Sequence, residues 1–60
     1  MVSRIKFPKN FGKQVHEGFS KSKRITGMYE VHNGILYLDN NDLEEAGKIF
    51  DRLVLNYKMI

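Results

Sequence analysis

The residue types that could do chemistry in this chain are few. His16 is followed by Glu17, with Ser20 and Ser22 close behind, so that an acid–base pair lies near two hydroxyls. Nucleophilic catalysis needs a third orienting group and a pocket that excludes water, and one small core leaves little room for either. A second group is acidic: Asp39, Asp42, Glu44 and Glu45. Its spacing departs from a calcium loop, because the sixth position counted from Asp39 is Glu44 where a glycine is required. Helix capping accounts for these carboxylates without a ligand. Cysteine is absent and the histidines number two, His16 and His32, a poor set for structural zinc. The segment "GFSKSKR" at 18–24 holds glycine, serine and lysine but lacks the spacing of a phosphate loop and its strand–helix context. These readings lead to an expectation of no enzyme activity, no metal and no cofactor.

The remaining candidate chemistry is charge. Residues 1–25 hold Arg4, Lys6, Lys9, Lys13, Lys21, Lys23 and Arg24 against the single acid Glu17. Residues 26–60 are net acidic, and the chain as a whole is +3. Such a split suggests an anionic partner for the first half, or pairing of the two halves within or between chains. Phe7, Phe11 and Phe19 interleave with the basic residues, as in nucleic-acid binders that combine cations with stacking aromatics. The phenylalanines, however, are spaced as a buried stripe.

The elements that position these groups can be read in order. Sixty residues make one domain, and a chain of this size buries only about 60 % of its unfolded surface. Without disulfides or metal, oligomerisation is the remaining source of help. The 42 % hydrophobic content is that of a globular chain. No apolar run is long enough for a signal peptide or a membrane span, so a cytoplasmic protein is expected. Ile5 and Phe7 alternate with Arg4 and Lys6 as a short strand that Pro8 ends. Phe11, Val15 and Phe19 at i, i+4, i+8 predict a short helix over 10–20 with Asn10 as its cap. The competing reading is a loop, since Gly12 and Gly18 each weaken a helix.

"VHNGILYL" is a hairpin with Asn33-Gly34 as its type I′ turn. The two-residue turn fixes the register, so Tyr29, Val31, Leu36 and Leu38 share one face, and Met28, Glu30, His32, Ile35 and Tyr37 the other. The first face is core. The second is mixed, yet too apolar for an ordinary wet surface. From Asn41 onward, Leu43, Ala46, Ile49, Phe50, Leu53, Val54, Tyr57 and Ile60 follow helical spacing and predict an amphipathic helix over 41–59. Asn40 or Asn41 would cap it, and Leu55 and Met59 would fall on its polar side.

The expected fold is a small single α+β domain: a basic segment (1–25), a β-hairpin (26–39) and a C-terminal amphipathic helix (41–59) packed on the sheet. The N-terminal strand could add a third antiparallel strand, or two chains could pair their hairpins. A homodimer is expected. The leading functional expectation is a non-enzymatic protein-interaction module, a small regulator or inhibitor docking on a host protein or complex, with Met28, His32, Ile35 and Tyr37 as its partner interface. Small size and lack of motifs would also suit a phage or mobile-element product. The alternative is a small nucleic-acid-binding protein that contacts the phosphate backbone through Arg4, Lys6, Lys9, Lys13, Lys21, Lys23 and Arg24. Membrane partners are not expected.

Overall fold

A computed structural model describes residues 1–60. The chain runs β1 (Val2–Lys6), α1 (Gly12–Lys21), β2 (Tyr29–His32), β3 (Ile35–Asp39), α2 (Leu43–Leu53) and β4 (Lys58–Met59), with 3₁₀ turns at Lys9–Phe11 and Asn40–Asp42. The strands form one antiparallel sheet in the order β2-β3-β1-β4. β3 therefore lies between β1 and β2, and β1 between β3 and β4. The expected third strand is present as β1, and β4 adds a fourth. Each helix connects two parallel strands with another strand inserted between them, so two split β-α-β units interleave.

Register follows from the turn. Asn33 (φ 49°) and Gly34 (φ 82°) both occupy left-handed backbone, as a type I′ turn demands. His32 then faces Ile35, Val31 faces Leu36, Glu30 faces Tyr37 and Tyr29 faces Leu38. β1 pairs with the other side of β3, placing Ile5 opposite Leu36 and Arg4 opposite Tyr37. The N-terminal strand thus extends the sheet in its own plane.

One sheet face is covered. Ile5 and Phe7 from the β1 segment, Leu36 and Leu38 from β3, Val15 and Phe19 from α1, and Ala46, Ile49 and Phe50 from α2 form a single buried cluster. Both helices lie on this side. Phe50 joins the layers, its ring centroid 5.8 Å from Phe7, 6.3 Å from Phe19 and 5.0 Å from Tyr57.

Both helices differ locally from the expectation. α1 begins at Gly12 after a 3₁₀ turn, so Asn10 does not cap it, and no side-chain cap is made at Phe11. Val15 and Phe19 are buried, while Phe11 is exposed. α2 begins at Leu43, which leaves Asn40 and Asn41 in the preceding 3₁₀ turn. It stops at Leu53 instead of reaching 59. Val54 turns left-handed (φ 56°, ψ 42°), its N–H donates to the Asp51 carbonyl, and the Leu55 N–H donates back to Phe50. This pair of bonds is a Schellman motif, and Leu55 packs on the core beside it. Tyr57 and Met59 accordingly leave the helix, and the chain returns as β4, with Lys58 opposite Lys6 and Met59 opposite Ile5.

Candidate functional site

Side chains alternate across a sheet, so the residues between the core-facing ones point away from the helices. Neither helix covers this second face. Three rows cross it. His32, Ile35, Lys6 and Lys58 form one; Glu30, Tyr37 and Arg4 form the next, with Ile60 donating its N–H to the Arg4 carbonyl at 3.1 Å. Asp39 and Val2 begin the third, and Met28 flanks it at the start of β2.

The expected interface residues Met28, His32, Ile35 and Tyr37 therefore lie on one surface. Ile35 and Tyr37 are its half-buried centre, His32 is exposed and Met28 is 90 % exposed. The His32 ring meets the Tyr37 ring edge-on at 5.9 Å. Where Val2 and Met28 flank Asp39, an apolar groove of about 530 Å³ opens, reaching from Met1 to Tyr37. Lys58, Ile60 and Val2 also belong to this surface. Sequence reasoning missed the first two because it placed them on a helix. Recognising Val54 as a helix stop would have placed them here.

The seven basic residues do not form one patch. Arg4 and Lys6 stand on the open sheet face beside Lys58. Lys9 packs by the hairpin turn, its Cα close to Gly34, and Lys13 is exposed on α1. Lys21, Lys23 and Arg24 lie at the other end of α1, over the helical layer. There Arg24 shares a depression with Glu45, Lys48, Asp51 and Arg52, and Ser22 donates to the Glu45 carboxylate at 3.5 Å. The basic loop thus meets the acidic half within the chain.

Charge on the open face is sorted. Arg4, Lys6 and Lys58 occupy the β1–β4 half, and none of them enters an ion pair. Glu30 lies on the opposite half, where its only ionic contact is with His32 at 3.5 Å. Lys6 and Lys58 are directly opposed, a like-charge arrangement that costs stability.

The groups with catalytic residue types serve the fold in this arrangement. The Tyr29 hydroxyl lies 2.9 Å from Ser20 Oγ, donates to the His16 carbonyl at 3.3 Å and sits 3.4 Å from His16 Nδ1, tying β2 to α1. The Asp39 carboxylate accepts the Asn41 N–H at 2.9 Å and caps the 3₁₀ turn. Asp42, expected to cap the helix, instead turns its carboxylate to the α1–β2 loop. There it accepts the Thr26 N–H and hydroxyl at 3.0 Å each and the Gly27 N–H at 2.9 Å. Those bonds hold its pKa below the ordinary aspartate value, the Thr26 N–H contributing most, with burial opposing. No cluster of three potential ligands is placed to hold a metal ion, and no helix is long and apolar enough to cross a membrane. No family model, curated protein or solved structure matches the chain.

Proposed function

We propose that the chain is a non-enzymatic protein-interaction module whose working surface is the open sheet face, acting as a small regulator or inhibitor by occupying a surface of another protein. The observation that carries this reading is the absence of any cover over Ile35 and Tyr37. Both stand on the central strand β3, Tyr37 borders the apolar groove with Val2 and Met28, Ile35 lies between His32 and Lys6, and the N-terminal strand lies beside them rather than on them. Tyrosine and methionine are enriched at interface centres, with charge at the rim. The near balance of charges across this face also suits a protein better than a polyanion.

Arg4, Lys6 and Lys58 beside Tyr37 favour a second reading, single-stranded nucleic acid held by cations and one stacking ring. The two readings part in an affinity capture from cell lysate with and without nuclease. Docking through the sheet face predicts a captured protein that resists nuclease and moderate salt and is lost with Ile35→Asp. It should persist when Lys21, Lys23 and Arg24 are all changed to Glu. Capture that vanishes with nuclease and falls steeply with salt would replace the first reading with the second.

A further inference from the structure

The cations of the open sheet face, Arg4, Lys6 and Lys58, enter no ion pair within one chain, and they lie on the half of the face away from Glu30. Viewed along a row, Glu30 and Tyr37 occupy one half and Arg4 the other. Two copies can stack face to face about a two-fold axis in the plane between the sheets. If the axis runs across the strands, each strand lies over its own equivalent, and the cationic β1–β4 half of one copy meets the cationic half of the other. If it runs along the strands, between β3 and β1, the halves exchange: the partner's cationic half covers Glu30, Tyr37 and His32, and the reverse holds on the other side.

From this we infer that the open face takes a second copy of the chain, stacked about the strand-parallel axis, with each Arg4 over the Tyr37 ring and beside the Glu30 carboxylate of its partner. The inference rests on the reading of this face as an interaction surface and assigns its occupant. An isologous contact of this kind closes on itself and makes a dimer rather than a fibre. Aligned sheets pack about 10 Å apart with strands within about 30°, which keeps the central Arg4–Tyr37 row in register. A guanidinium over a tyrosine face gains cation–π attraction, the more so once water is excluded. Four strands about 4.8 Å apart, two to five residues long at about 3.4 Å per residue, project roughly 260 Å² on each copy. Counted on both copies, that stays below the about 1,000 Å² that stable specific interfaces clear, in the range of weak and transient contacts. Such a dimer is weak and reversible. It closes the docking face, so self-association and capture of another protein compete for one surface.

Sedimentation equilibrium on the whole chain tests this with Arg4→Glu and Glu30→Arg, both at exposed positions. The unchanged chain should self-associate at micromolar to high-micromolar concentration. Each variant alone puts like charges at positions 4 and 30 across the axis and should weaken the dimer by about ten-fold or more. In an equimolar mixture, the glutamate introduced at position 4 of one chain faces the arginine introduced at position 30 of the other. On the far side of the axis the unchanged Arg4 and Glu30 still meet, so association should recover as a heterodimer. Circular dichroism that matches the unchanged chain confirms that each variant is folded. A parent chain that stays monomeric, single variants that associate as well as the parent, or a mixture that stays monomeric would each overturn the inference. A monomeric parent that still captures another protein through Ile35 would sink the dimer alone and leave the docking reading standing.

Discussion

The carboxylate of Asp42 holds the backbone of Gly27, fifteen residues earlier, through an N–H···O bond of 2.9 Å. With the two bonds from Thr26 it fastens the α1–β2 loop to the start of α2. Asp42 is 2 % exposed, and Gly27 is obligatory here because a Cβ would lie 2.8 Å from that of Asp39. Asp42→Asn keeps the shape but replaces one acceptor oxygen with a donor and removes the charge. Loss of charge-assisted bonds in a covered site should cost about 1–3 kcal/mol, read by urea denaturation at neutral pH.

The same residue sets an acid limb. Its folded-state pKa lies below the ordinary 3.8. A depressed carboxyl stabilises the fold fully above its unfolded value, and that contribution fades as pH falls towards the folded value. Stability of the unchanged chain should therefore drop below about pH 4, and this part of the drop should be missing in Asp42→Asn. Equal slopes below about pH 4 in the two proteins would refute the assignment.

Val54 sits in left-handed backbone at φ 56° and is 89 % exposed. A β-branched residue there is strained, by about 1–2 kcal/mol, and its side chain returns little packing. Glycine removes the strain but loses more entropy on folding, by about 0.5–1 kcal/mol. Val54→Gly should thus gain about 0.5–1 kcal/mol, a rise in Tm of a few degrees for a chain of this size. A lower Tm would mean that the helix end is held by something other than the Schellman bonds.

This strained helix end is also why part of the fold was illegible from sequence. The Asn33-Gly34 turn declares itself, and with it the hairpin register and the surface shared by Met28, His32, Ile35 and Tyr37. The apolar spacing of Val15 and Phe19, and of Ala46, Ile49 and Phe50, likewise marks two helical faces. Val54 gives no such signal, because neither glycine nor proline marks the stop and Tyr57 and Ile60 keep helical spacing by coincidence. The pairing of β1 with β3, and the return of β4 beside β1, are non-local contacts that no short window of residues encodes. Arg4, Lys6 and Lys58 therefore came to the sheet face only in three dimensions, while Lys21, Lys23 and Arg24 went to the far side of the molecule.

Lys58 faces Lys6 across the outermost strand pair. Cross-strand like charges are destabilising, and opposite charges contribute about 0.2–1 kcal/mol. Lys58→Glu should raise stability by up to about 1 kcal/mol at low salt, and the gain should shrink as added salt screens the pair. A gain that ignores salt would point to strand propensity rather than charge.

Tyr57 secures β4 by stacking on Phe50, with ring centroids 5.0 Å apart and planes inclined by 25°. Its hydroxyl also lies over Gly47, where an added Cβ would come within 3.2 Å. β4 has two residues and two partners on β1, so its hydrogen bonds alone hold it weakly, and the ring is its main anchor. Tyr57→Ala should free β4 from the sheet without unfolding the rest, because Tyr57 is not among the buried core residues. Phe50→Ala removes the hub of that core and should cost about 3–5 kcal/mol. A 60-residue chain has only roughly 3–9 kcal/mol in total. Hydrogen exchange separates the two variants. In Tyr57→Ala the amide of Ile60, bonded to Arg4, should lose protection while those of β3 keep theirs, whereas Phe50→Ala should lose protection throughout. Uniform loss in Tyr57→Ala would show that the C-terminal strand is part of the cooperative core and not an appended edge.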